Sequence, residues 1–418
     1  MGYAQQTPAP AQTETITIIG ATAHIGNGQV IENSVIQIID GKITTCADAL
    51  TTKIAMQGQI IQAQGKHVYP GFIAPNTTLG LQEIGAVRAT NDTREIGEFN
   101  PNIRAIIAYN AESKIVESMR PNGVLIGQVT PRGGTISGTS TIVQFDAWNW
   151  EDAAIKWDDG IHMNWPNTFT RGRWWLGEDP GLKPNKNYSK QVDAAGMFIA
   201  QSKAYLAGDK KTTNLKYDAM SGLFDGTKTL YVRATDEKSI RDAVGFKDKH
   251  GISKMVIVGG YQAPKVADLL KQNDVAVLVQ RTHTTPAIDD HDYDYPYKLA
   301  RLLADAGVLV GLQNSGGMER ANARNLPFQA GTVAAHGMDK EDALKLITSN
   351  TAKILGIDDR LGTLEAGKDA TLFISEGDAL DMRGNILTHA FINGRAISLE
   401  SHQTTLWKRY AKKYGQMD

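Results

Sequence analysis

The stretch KMVIVGGYQAPKVADLLKQNDVAVLVQ, residues Lys254 to Gln280, holds a continuous apolar run, an amphipathic segment and a second apolar run. An apolar run with no polar alternation belongs to a strand buried on both faces. Polar residues recurring at 3.6 spacing belong to a helix with one wet side. This is therefore one strand-helix-strand unit of a parallel sheet. The same grammar precedes it in TLYVRAT with DEKSIRDAVGFKDKHG, and follows it in VAVLVQ with YPYKLARLLADAG and VLVGLQNSGG with NLPFQAGTVAAHG. Four βα units in succession point to a parallel sheet.

Upstream, PGFIAPNTTLG (Pro70–Gly80), GVLIGQVTP and GIHMNWP supply three more strands of an eight-stranded (β/α)8 TIM-like barrel. The fourth strand is expected between Lys203 and Phe224. Short β-rich runs with Gly and Asn/Asp punctuation fill residues 15–68, and β texture returns over 360–400. Two such segments flanking one barrel are expected to pair into a small β-sandwich. The fold class is α/β: a barrel over 69–359, a composite β-sandwich from 15–68 and 360–400, and a basic C-terminal helix over 401–418.

Lys plus Arg number 44 against 45 for Asp plus Glu, a net charge of -1. No field of either sign is available to attract nucleic acid or anionic lipid, so no nucleic-acid partner is expected. No apolar run approaches the roughly 20 residues of a membrane helix, and no membrane span is expected. Cys46 is the single cysteine, so an intrachain disulfide framework is excluded, and the residue reads as a small buried hydrophobe. The start, MGYAQQTPAPAQTET, is polar and Pro/Ala-rich; AQQ reads either as the stub left by signal-peptide cleavage, implying a periplasmic or secreted protein, or as an ordinary N-terminal tail.

The stretch NLPFQAGTVAAHGMDKEDALKLITSNTAKILGIDDRLGTLEAGKDATLFI, with PGFI and INGRAI, resembles the amidohydrolase superfamily, in its imidazolonepropionase-like branch. The resemblance spans about Thr15 to Leu399 and implies the same barrel and sandwich. It also implies a His-x-His pair after the first strand, two further His on strands five and six, and an Asp ending strand eight, holding one or two divalent metals. Imidazole and carboxylate bind Zn²⁺ tightly, and the metal turns water into hydroxide near neutral pH while a carboxylate shuttles the proton.

Carried onto this sequence, the implied ligand positions fall on Asn76, Thr78, Arg233, Gly259 and Asn314. None is an imidazole or a carboxylate. Amide and hydroxyl oxygens are weak Zn²⁺ ligands. A guanidinium about 5 Å from a divalent ion, at an effective dielectric near 20, is repelled by about 6 to 7 kcal/mol. Arg233 could instead hold a carboxylate, or pair with an internal Asp or Glu. No cofactor is expected; the alternative is Zn in the loop RTHTTPAIDDHDYDYP, with His283, His291 and Asp289 as ligands.

Six of the seven Trp residues fall between Trp148 and Trp175, together with His162, Arg171 and Arg173. Around the third strand these suit stacking on a ligand ring at the barrel mouth, or a lid or subunit interface. The candidate pocket is Asn76, Thr78, Arg233, Gly259, Asn314, His283 and Trp165. TPRGGTISGTS lacks the Gly-Lys-Ser/Thr of a phosphate loop and reads as a βα loop.

Two functions follow. The first is an amidohydrolase-like pseudoenzyme that binds a small-molecule or short-peptide ligand, alone, as a homo-oligomer or beside an active relative. The second is an active carbon-nitrogen hydrolase using a displaced metal or a metal-free site.

Overall fold

The computed structural model describes residues 7–210 and 212–417. The AQQ stub lies outside them. Eight strands form the central sheet: β1 (Phe72–Thr77), β2 (Val124–Val129), β3 (Ile136–Gln144), β4 (Ala154–Asn164), β5 (Thr229–Ala234), β6 (Met255–Gly259), β7 (Ala276–Val279) and β8 (Val310–Leu312), in that spatial order. β1, β2 and β6 to β8 are buried at every residue, as the unbroken apolar runs require. The ring is closed indirectly. Ile73 N of β1 donates to Ile347 O and Leu312 N of β8 to Leu346 O, each at 3.0 Å, so the segment after the last barrel helix bridges the first and last strands.

The fourth parallel strand is absent from the expected stretch between Lys203 and Phe224. That stretch is helical, in Tyr188–Ala207, Leu215–Ala219 and Gly222–Asp225. The eighth place belongs to β3, which runs antiparallel to both β2 and β4, while β4 pairs directly and in parallel with β5. The TISGTS half of the glycine-rich stretch is thus strand rather than βα loop. All nine residues of β3 are buried, yet ISGTSTIVQ is small and hydroxylated, so it lacks the bulky apolar run that marks its neighbours.

The two ends of the chain meet in a second sheet. Leu372–Ser375 pairs antiparallel with His67–Pro70, and strands Ile16–His24, Val30–Ile39 and Lys42–Asp48 extend the sheet on one side, Leu387–Ile392 and Arg395–Ala396 on the other. Its core, built on Ile18, Ile36, Ile38, Leu372, Ile374 and Phe391, is distinct from the barrel core. Cys46 packs at its edge; burial and then Glu365 push the thiol up to about 12. The sheet docks closely on the barrel at Gly123, where a Cβ would lie 2.5 Å from the Phe373 ring. Among the described residues no helix is long and apolar enough to cross a membrane.

Candidate functional site

The C-terminal ends of the parallel strands converge on a polar core that continues outward into a cavity of about 600 Å³. Its deepest group is Asp159 of β4, fully enclosed by three donors: Ser140 Oγ (2.8 Å), Gln128 Nε2 (2.7 Å) and Tyr231 OH (3.0 Å). Burial pushes this carboxyl up, while the three hydrogen bonds oppose the shift. Gln128 passes the chain of bonds on, its Oε1 accepting from Asn76 N at 3.0 Å.

Asn76, next to last in β1, lies in the left-handed region, φ +50°, a conformation Asn tolerates better than most residues. Every polar atom of its side chain is engaged. Nδ2 donates to Ser315 Oγ (3.1 Å) and Gln313 Oε1 (3.3 Å), and Oδ1 accepts from Arg132 Nη1 (2.9 Å) and Thr130 Oγ1 (3.3 Å). Arg132, three residues beyond β2, also donates to Asn76 O at 2.8 Å and reaches Glu319 Oε2 at 3.3 Å. Glu319 in turn accepts from Thr77 Oγ1 (3.0 Å), Thr78 N (2.5 Å) and Thr78 Oγ1 (3.1 Å). A continuous hydrogen-bonded chain therefore runs from the barrel interior to its mouth.

Beside this chain stand groups with nothing to bond. His162 of β4 stacks on Tyr231 at 4.7 Å, but its buried Nε2 has no partner, and neither side-chain atom of buried Asn314 has one. Burial, then the charges of Arg132 and Arg233, hold the His162 imidazole well below 6.5, so the ring is neutral. The guanidinium of Arg233, opposite Asn164 in the β4–β5 ladder, makes no hydrogen bond or ion pair among the described residues. Burial and Arg132 push it down to about 10, with Glu319 opposing.

Of the residues singled out in the sequence, Thr78 and Arg233 line the cavity and Asn76 and Asn314 lie around its base. Gly259 ends β6 with φ +107°. His283 is exposed and bonded to Thr332 Oγ1 at 2.7 Å. Trp165 is buried against Phe246, ring centroids 5.2 Å apart, with Nε1 donating to Tyr188 OH at 2.9 Å. The tryptophans divide between the two ends of the barrel. Trp148, Trp150 and Trp157 surround the β3–β4 connection, while Trp174 and Trp175 sit exposed on a short hairpin beyond β4 whose Arg173 pairs with Glu178. His291 stacks on Tyr261 and bonds its hydroxyl at 3.1 Å, whereas Asp289 is exposed, so the three loop residues are held apart. Arg132, Glu319, Gln128 and Asp159 escaped the sequence reading. The one local signal was an Arg just past a barrel strand's C-terminal end.

The donor set can be tested against a divalent metal. Around the cavity stand the imidazole of His162 and two carboxylates, Glu83, bonded to Asn110, and Glu319, already accepting four hydrogen bonds, beside four guanidinium groups. Among the described residues no three His, Cys, Asp or Glu side chains gather as a metal site. These residues do not fit the metal implied by the resemblance.

Residues 297–397 match the amidohydrolase family. No curated protein matches the chain. The chain shares its fold with an amidohydrolase from Thermotoga maritima MSB8, at 21% identity and TM-score 0.78, over 92% of this chain and 99% of that one. A molinate hydrolase superposes at TM-score 0.56 with 17% identity, over 92% and 95%. An Xaa-Pro dipeptidase with bound methionine in its active site does so at TM-score 0.54 with 14% identity, over 92% and 100%.

Proposed function

We propose that this amidohydrolase-fold protein, of the imidazolonepropionase-like kind, binds a small carboxylate ligand of the amino-acid or amide class at the barrel mouth and does not perform metal-assisted hydrolysis. The observation that carries the reading is Arg233: a half-buried cation without a direct ion pair among the described residues, lining a cavity, beside the neutral His162 and the unpaired Asn314 amide. A carboxylate there would take a bidentate pair from the guanidinium and a hydrogen bond from Asn314 Nδ2, with His162 Nε2 facing it. Arg132 cannot serve as the sole anchor, because Asn76 and Glu319 already claim it. The same two guanidiniums repel a divalent cation. Methionine bound by an Xaa-Pro dipeptidase of this fold supports a ligand of that size.

The test pairs elemental analysis of protein purified without chelator with calorimetric titration of amino-acid and N-acyl amino-acid carboxylates. Expected are substoichiometric Zn, Fe, Mn and Ni, and carboxylate binding that Arg233→Ala weakens about 10-fold or more. Near-stoichiometric metal together with chelator-sensitive amide hydrolysis would overturn the reading in favour of an active hydrolase.

A further inference from the structure

The cavity around Arg233 is more positive than one carboxylate requires. Four arginines line it, Arg132, Arg233, Arg320 and Arg324, against two glutamates, Glu83 and Glu319. Four minus two leaves a local charge of +2, in a chain whose net charge is -1.

The hydrogen bonds show which of these charges are spent. Arg132 and Glu319 neutralise each other within the chain described above. Arg320 is committed to backbone carbonyls, donating from Nη1 to Gln82 O at 3.0 Å and Glu83 O at 2.6 Å. Glu83 accepts from Asn110 Nδ2 at 3.2 Å. Two guanidiniums remain without a hydrogen bond or ion pair among the described residues: Arg233 and Arg324. They come from different walls, Arg233 from the end of β5 and Arg324 from the segment after β8, where Asn122 Nδ2 fixes the Arg324 carbonyl at 2.8 Å.

Half-buried cations that share a cavity of about 600 Å³ without a direct ion pair repel each other, and an anion at each removes that cost. We propose that the ligand is a dicarboxylate, with one carboxylate on Arg233 and the second on Arg324. This deepens the carboxylate-binding reading of the same site and rests on it. Amide-linked or N-acylated acidic amino acids are the class that joins two carboxylates through a chain of this size. A volume of several hundred cubic ångströms suits a molecule of that bulk.

The test uses glutarate and adipate, their monomethyl esters and inorganic phosphate, titrated calorimetrically into the full-length protein in 150 mM salt. The diacids are expected to bind about 10- to 100-fold more tightly than their monoesters, the range of one extra charge-assisted pair. Arg324→Ala should reduce the diacids to the monoester level and leave the monoesters unchanged, and Arg324→Lys should retain part of the difference. Circular dichroism and a thermal midpoint confirm that each variant folds. Equal binding of diacid and monoester would overturn the dicarboxylate assignment while leaving the Arg233 reading intact. No binding of any acid would overturn both. Phosphate binding as tight as adipate, and equally insensitive to Arg324→Ala, would put both charges at one guanidinium and also overturn it.

Discussion

Asp159 meets three donors and, among the described residues, no cation within hydrogen-bond reach. Removing its carboxyl strands the buried Tyr231 hydroxyl and leaves Ser140 Oγ only Gly160 O at 3.2 Å and Gln128 Nε2 only Ser140 Oγ at 3.4 Å. Asp159→Ala is expected to cost about 2 to 4 kcal/mol, read by urea denaturation, since unmet buried polar groups cost about 1 to 3 kcal/mol each and a water can recover part of that. Gly160 next to it is equally constrained: a Cβ there would sit 2.3 Å from Tyr231 Cε2 and 2.5 Å from Thr229 O. Gly160→Ala should push Tyr231 off Asp159 and destabilise by about 1 to 3 kcal/mol, seen as a lower urea midpoint with Tyr231→Phe removing part of the difference.

His162 makes the same core pH-sensitive. Its folded pKa lies well below 6.5, from burial first and the two arginines next. As pH falls through 6.5 the unfolded chain takes up a proton that the folded chain refuses, so the unfolded state binds more protons and stability drops. The thermal midpoint should fall on acidification from pH 7.5 to 5, and His162→Gln should make that fall shallower even if its midpoint at pH 7.5 is lower. Parallel slopes for the two proteins would show that His162 does not titrate as described.

At the scale of elements, loops after β1, β2 and β8 and the helix His402–Lys413 build the cavity, the helix contributing Gln403. That helix starts on a capping box at Ser401, and its first amide, His402 N, donates to Glu117 Oε1 at 2.7 Å. Its positive N-terminal end faces the region that holds the free arginines, so it reinforces an anion site without forming one alone. A chain ending at Glu400 is expected to stay folded, because only Ala411 and Ser401 of this segment are buried. Its anion binding should weaken several-fold as the cavity opens to water, measured by the glutarate titration; unchanged affinity would remove the helix from the site.

The whole molecule is tied together at Asp146, just past β3. It meets Arg120 at 3.3 Å, Arg395 of the last strand at 3.0 Å, and Ala9 N near the start of the chain at 2.9 Å. Asp146→Ala removes the carboxylate shared by buried Arg120 and half-buried Arg395 where the two sheets and both chain ends meet. A loss of about 3 to 5 kcal/mol is expected, read in urea, with fluorescence and far-ultraviolet dichroism transitions separating as the small sheet loosens from the barrel. A shift under 1 kcal/mol would mean that the docking depends on apolar contacts such as Phe373 over Gly123.

The sequence by itself determined the strand-helix alternation, the joining of the two chain ends, and the absence of imidazole and carboxylate at Asn76, Thr78, Arg233, Gly259 and Asn314. All of these are local: burial on both faces writes an apolar run, and a residue type stands at a position whatever surrounds it. Tertiary structure decided the rest. β3 was illegible because it is buried through small hydroxylated residues that satisfy one another, not through bulk. Arg132 reads as one loop arginine among many until Glu319, 187 positions away, arrives beside it. Arg233 and Arg324 are ordinary cations in sequence and become a site only because the fold gives their neighbours' carboxylates to other partners. Charge pairing depends on which loops converge, and convergence is a property of the closed barrel rather than of any stretch within it.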